Sequence, residues 1–160
     1  MSDTFSILPH LIPIAIAYCL ALPIGWNRER EERSAGLRTF PLVAVASCGF
    51  VQAVETMMGH DPAAMARVLE GVIAGIGFLG GGAILQQRRS VKGTATAASL
   101  WVTGAMGVAA GLSSYDVAVV LTVFTLLTFW IMAPLKPEDN ERGEEEKGVK
   151  AETARQSDQH

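Results

Sequence analysis

One apolar segment rich in glycine constrains this chain more than any other feature. Residues 68–85 contain six glycines and a single charged residue, Glu70. In water, each glycine would weaken a helix by about 1 kcal/mol relative to alanine. In a bilayer, unsatisfied backbone groups are so costly that the chain stays helical, and glycine instead lets another helix approach closely. The segment therefore predicts a membrane helix suited to close packing, whether or not it has a further role.

Five apolar segments approach the roughly 20 residues that a helix needs to cross a bilayer. The predicted fold class is therefore an all-α membrane protein with five transmembrane helices. The fourth segment is the weakest on hydropathy alone, because its apolar side chains are small. Short connections predict antiparallel neighbours. The predicted spans are Ile7–Trp26, Thr39–Met58, Val68–Leu85, Ala95–Leu112 and Val117–Ala133.

Loop charges predict the orientation, because short cytoplasmic loops carry an excess of lysine and arginine. Two connections are basic, whereas the opposite side carries only Arg67. The amino terminus is then outside, and the carboxyl terminus is in the cytoplasm. The basic residues of the two connections are Arg28, Arg30, Arg33 and Arg38 after the first span, and Arg88, Arg89 and Lys92 after the third.

The charges divide the chain into two parts. Residues 136–160 hold eight of the 16 acidic residues and almost no large apolar side chain. Such a segment buries too little surface to offset its ordering entropy, so we expect a disordered acidic cytoplasmic tail, acting as a linker or binding a partner. Residues 1–135 form the predicted transmembrane domain and are formally neutral. They lack the basic patch with interleaved aromatics that marks nucleic-acid binding.

Glycine spacing in the third span indicates where helices approach one another. Gly71 and Gly75 are four residues apart, as are Gly77 and Gly81, and Gly80 lies beside the second pair. Small residues at this spacing let two helix backbones come together. We expect these glycines to supply close packing, within the chain, in a homo-oligomer or against another membrane protein.

The densest polar cluster surrounds the first basic connection. Arg28 and Glu29 lie beneath the first span, Arg33 follows, and Arg38 and Thr39 open the second span. We expect these side chains at a cytoplasmic mouth between helices. Because arginine suits bidentate binding of carboxylates and phosphates, three roles stay open: internal ion pairing, contact with a ligand or lipid headgroup, and contact with a protein partner.

Hydroxyl groups open the fourth span. Thr94 is predicted to cap the helix, and Thr96 follows two residues later. The alternative is that this helix end lines the same mouth as Arg38, where a positive helix end and an arginine would favour an anion.

Two acidic residues lie in the predicted spans, Glu55 and Glu70. Ionisable groups inside a membrane helix are functional candidates, here for binding a cation or a proton. The alternative is that Glu55 reaches water and that Glu70 pairs with Arg67 one turn away. The histidines and cysteines have no metal-ligand spacing, and no nucleophile–base set or phosphate-binding motif is present. The sequence therefore predicts no enzyme activity, no metal and no cofactor.

Four ordered blocks resemble the signature of the MgtC/SapB family, and the resemblance covers nearly all of residues 10–130. Two departures stand out. Asn27 replaces an acidic residue that commonly follows the first span, and residues 93–98 differ from the usual Gly-Leu-Thr-Thr-Ala-Ala. Longer members carry a soluble carboxy-terminal domain, which we do not expect to act here. The blocks are residues 24–30, 35–39, 75–82 and 96–103.

The resemblance implies a bacterial inner-membrane protein linked to growth in low magnesium and, in pathogens, to survival within macrophages. Some family members are thought to restrain the proton-translocating ATP synthase. Two hypotheses follow. The first is a non-enzymatic regulator that binds another membrane protein, such as the ATP synthase, or a second copy of itself. The second is a magnesium or proton transporter, or a component of a channel.

Overall fold

The computed structural model describes residues 7–31, 35–59, 61–87 and 90–132, and it confirms the all-helical architecture. The predicted tail at residues 136–160 and Arg33 lie outside the described residues. The helices and strands are α1 (Leu8–Arg30), α2 (Thr39–Met58), α3 (Pro62–Ala83), β1 (Leu85–Gln87), β2 (Ser90–Lys92), α4 (Thr94–Gly111) and α5 (Tyr115–Met132).

Four of these helices, α1, α2, α3 and α5, are long and apolar enough to cross a membrane. The fourth helix, α4, does not meet that description, so the count of five membrane-crossing helices stays a prediction. Ten of the 18 residues of α4 are buried, and the helix packs against α1, α2 and α3. Because other helices surround it, α4 needs little lipid-facing surface and tolerates threonine, serine and glycine.

The first helix is longer than predicted. It continues past Trp26 to Arg30, so Arg28 and Glu29 belong to its last turn and not to a loop. Arginines are favourable there because the carboxyl end of a helix carries partial negative charge. The extension fixes both side chains on a helical surface.

The third helix starts earlier than predicted. It begins at Pro62 instead of Val68, because the Asp61 side chain accepts a hydrogen bond of 2.9 Å from the backbone nitrogen of Ala63. Proline at the first helical position costs no hydrogen bond, since that amide has no partner within the helix. Asp61 and Pro62 together form a helix start that hydropathy alone does not reveal.

The connection from α3 to α4 is a hairpin where a loop was expected. β1 and β2 pair antiparallel, with Leu85 opposite Lys92 and Gln87 opposite Ser90. Paired backbone groups satisfy one another without help from water. The third predicted span therefore ends at Ala83, two residues before the predicted end.

The predicted cap at Thr94 is wrong. Gly93 precedes the helix with a φ of 92°, and Thr94 is already its first residue. No side chain in the described part of the chain caps this helix. A methyl group on Gly93 would collide with the carbonyl oxygen of Ala83, so the tight exit from α3 and the left-handed backbone both require glycine here.

Three glycines of α4 make close contacts with neighbouring helices in the core. A methyl group on Gly111 would lie 2.8 Å from Cβ of Val51, and one on Gly107 would collide with the carbonyl oxygen of Ala44. Gly104 is equally confined, against a side chain of α3. The backbone of α4 therefore lies directly on α2, which fixes the position of the other helices around it.

Replacing Gly107 with alanine should destabilise the bundle. The added methyl group must displace α2, and overpacking of this kind costs about 1–3 kcal/mol. Thermal unfolding in mild detergent measures the effect. Gly81→Ala is the matched control, because no described atom lies within 4 Å of a methyl group at that position. Equal stability of the two variants would contradict the packing described here.

Candidate functional site

Helix ends that carry the predicted site residues meet at one end of the bundle. Gly25 of α1 lies against Leu37 in the turn before α2, where a methyl group added to the glycine would be 3.2 Å from Cα of the leucine. Gly80 near the end of α3 lies against α4 in the same way, and a methyl group there would be 3.5 Å from the carbonyl oxygen of Ala97. These contacts bring the end of α1 to the start of α2, and the end of α3 to the start of α4. The predicted site residues there have different environments, and Arg33 lies outside the described residues.

Arg28 points into the protein. Its side chain is only 4% exposed, and its guanidinium carbon lies 3.7 Å from the ring centre of Phe129 on α5. One guanidinium nitrogen donates a hydrogen bond of 2.7 Å to Oδ1 of Asn27 and lies 3.2 Å from a carboxylate oxygen of Glu31. Arg28 therefore joins α1 to α5 through internal contacts. Asn27 still supplies an acceptor oxygen, although it replaces an acid.

Glu29 holds the turn between α1 and α2. One carboxylate oxygen accepts a hydrogen bond of 3.1 Å from the backbone nitrogen of Leu37. The same oxygen occupies the space that a side chain on Gly36 would fill. Gly36 also accepts hydrogen bonds through its carbonyl oxygen from the backbone nitrogens of Thr39 and Phe40. Through these hydrogen bonds, Glu29 and Gly36 stabilise the turn that leads into α2.

Arg38 and Thr39 have a different environment, since they border an open groove between α2 and α3. Arg38 is exposed, and Thr39 is half-buried. The groove has a volume of about 780 Å³, which lies within the range of roughly 300–1,000 Å³ typical of small-molecule sites. Its walls are mostly apolar, and Arg67 lies at the far end. The wall residues between the two arginines include Leu42, Ser47, Phe50, Val68, Val72 and Leu79.

The predicted packing glycines of α3 lie in three different environments. Gly80 contacts α4, as described above. Gly71 and Gly75 line the groove, and no described atom lies within 4 Å of a methyl group on either. Gly77 and Gly81 are equally open but do not line the groove. Because each helical residue turns by about 100°, Gly77 lies about 200° around the helix from Gly75.

The two predicted site threonines of α4, Thr94 and Thr96, also lie in different environments. Thr94 is exposed, whereas Thr96 is 1% exposed and its hydroxyl has no hydrogen-bond partner among the described residues. Further along the buried side, Ser99 donates to the carbonyl oxygen of Thr96, and Thr103 donates to that of Ser99. The hydroxyl groups of Ser99 and Thr103 are satisfied by their own helix and point to no external ligand.

The two intramembrane acids lie away from the groove walls. Glu55 is half-buried near the end of α2, and Glu70 is exposed on α3. Within the described ranges, no group of three or more histidine, cysteine, aspartate or glutamate side chains is placed to hold a metal ion. Each acid therefore lies outside the buried interior and outside any such group.

Sequence reasoning missed two features of this region. The contact between Arg28 and Phe129 joins residues 101 positions apart, and no local pattern indicates it. Pairing of Arg67 with Glu70 is one alternative from the sequence, and that reasoning did not indicate that Arg67 lines the groove. The four-residue spacing of Gly107 and Gly111 was a usable signal for the close contact of α4 with α2.

The sequence of this chain matches a known protein family. The MgtC family profile matches residues 14–137. This chain belongs to the MgtC family. It is 39% identical to Protein SrpB of Synechococcus elongatus over 127 residues, which covers 72% of this chain and 70% of SrpB. Its long apolar helices and its family membership together identify it as a multi-pass membrane protein of the MgtC type.

Proteins named MgtC are similar over the same region. Protein MgtC of Salmonella typhimurium is 33% identical over 126 residues, covering 79% of this chain and 53% of that protein. Protein MgtC of Brucella abortus is 38% identical, covering 76% of this chain and 50% of that protein. The chain thus spans about half the length of these MgtC relatives. No solved structure matches the chain significantly.

Removing the ring that covers Arg28 should weaken the contact between α1 and α5. Phe129→Leu keeps an apolar side chain but loses the cation–π interaction, which is worth about 0.5–2 kcal/mol. A double-mutant cycle with Arg28→Met, read by thermal unfolding in detergent, measures the coupling. Phe124→Leu is the control, because Phe124 lies on the same helix and is 66% exposed. Additive effects of Arg28→Met and Phe129→Leu would contradict the interaction.

Proposed function

We propose that this protein is a non-enzymatic regulator that binds another membrane protein through the outward side of α3, the side that carries Gly77 and Gly81. One observation carries the proposal: the glycine-rich helix leaves this side open. A methyl group on either glycine would meet no described atom within 4 Å. In lipid, helices associate through close van der Waals packing, and an exposed glycine pair lets the backbone of a second helix approach closely.

The exposed neighbours of these glycines support a helix partner. Phe78 is 84% exposed and Ile73 is 52% exposed, so large apolar side chains border the small residues. A partner helix that approaches at the glycines would pack against both of these side chains. The same surface would serve self-association of this chain, and we propose a homo-oligomer as the second use of the surface.

The proposed setting follows the loop charges and the family. We propose a bacterial inner membrane, with the end of the bundle that carries Arg38 in the cytoplasm, because basic connections stay on that side. The resemblance implies the proton-translocating ATP synthase as a partner and adaptation to low magnesium as the physiological context. Both belong to the proposal.

Ion transport is the second candidate, and the arrangement of the acids supports it less. A magnesium site commonly uses carboxylates together with retained waters. Glu55 and Glu70 lie on different helices and outside the buried interior, and neither lines the groove. A transport path would need further acidic groups, which a partner or a second copy would have to supply.

Affinity purification from host membranes in mild detergent tests the regulator proposal. The wild type should recover a multi-spanning membrane protein, and Gly81→Leu should lower its recovery by about tenfold, equal to about 1.4 kcal/mol. Gly75→Leu is the matched control, because Gly75 is equally open but lies on the groove side. Recovery of this chain alone, or equal recovery by both variants, would contradict binding of another protein through this surface.

A further inference from the structure

The groove between α2 and α3 combines an apolar wall with an arginine at each end. Arg38 lies at its α2 start and Arg67 at its opposite end. Arg38 has no ion pair or side-chain hydrogen bond among the described residues. The groove is thus an apolar surface with an exposed arginine at its α2 end, and none of the described residues forms an ion pair with that arginine.

We propose that this groove binds one anionic phospholipid, with its phosphate on Arg38 and an acyl chain along the walls of α2 and α3. A guanidinium binds phosphate oxygens through two parallel hydrogen bonds. Net charge selects the headgroup, because an anionic headgroup lacks the cationic choline that neutralises phosphatidylcholine and is repelled by Arg38. The amino end of α2 lies at the same place, and its dipole adds positive potential. Basic pockets between membrane helices on the cytoplasmic side are typical sites for anionic headgroups.

The length of the groove suits an acyl chain. From Arg38 to Phe50 the groove follows twelve residues of α2, or about 18 Å. One leaflet of hydrocarbon is about 15 Å thick, so a chain from the headgroup level fits this length.

The glycines explain how the acyl chain fits between the helices. Gly71 and Gly75 line the groove on α3, where a larger side chain would project into the open space. Lipid tails are as apolar as leucine, so the acyl chain adds packing but little selectivity in a bilayer. Arg38 therefore decides which lipid binds, and the glycines decide whether any lipid binds.

This lipid site goes beyond the proposed regulation and does not depend on it. The groove uses Gly71 and Gly75, whereas the proposed protein contact uses Gly77 and Gly81 on another side of the helix. The two proposals therefore fail independently.

Native mass spectrometry of the purified full chain tests the site, with phosphatidylglycerol and phosphatidylcholine of identical acyl chains as probes. The wild type should retain phosphatidylglycerol about tenfold better than phosphatidylcholine, and Arg38→Gln should remove that preference. Gly75→Leu should lower retention of both lipids, and Gly81→Leu should change neither. Arg38 is exposed and Gly75 is open, so the bundle should tolerate both changes; circular dichroism checks the fold.

Photocrosslinking locates the lipid. A phosphatidylglycerol with a diazirine on its acyl chain should label residues 42–50 of α2 or 68–79 of α3, and Gly75→Leu should abolish the labelling. Equal retention of both lipids by the wild type, or labelling confined to other helices, would overturn the proposal. If Gly75→Leu leaves lipid retention intact but changes the oligomeric state, the groove holds a second copy of this chain instead.

Discussion

The close contact between the backbones of α4 and α2 is the interaction on which the rest of this structure depends. It exists because Gly107 and Gly111 have no side chains to hold the helices apart. Once α4 lies against α2, it is surrounded by neighbours, and its Ser99 and Thr103 hydroxyl groups bond to their own helix instead of facing lipid. The helix with the weakest hydropathy signal is in this way the one that packs against three others.

A central α4 leaves α3 with two open sides. Gly80 and Ile76 face the bundle, whereas the other glycines of α3 meet no neighbour among the described residues. On one side of the helix the gap to α2 forms the groove that ends at Arg38, and on the other side Gly77 and Gly81 are exposed. The chain belongs to the MgtC family of membrane proteins, and these two surfaces are the ones proposed here to bind a partner helix and a lipid.

Sequence reasoning predicted the helices well and the roles of their ends less well. The bounds of α2 match the predicted Thr39–Met58, because basic and glycine-containing connections delimit an apolar run. The start of α4 was misassigned, because the left-handed conformation of Gly93 depends on its distance from α3 and not on the local sequence. Of the three roles considered for the arginine cluster, internal pairing applies to Arg28, whereas Arg38 is exposed and its role stays a proposal. Only the position of α5 relative to α1 makes that distinction, and no local pattern contains it.

The central functional claim is that the protein acts by binding and does not itself conduct ions. Ion flux into liposomes that contain only the purified chain tests this most directly, with magnesium- and pH-sensitive dyes inside. The account predicts no flux above that of protein-free vesicles when the chain is folded and inserted. Flux that disappears in Glu55→Gln would contradict it and would establish transport as the function.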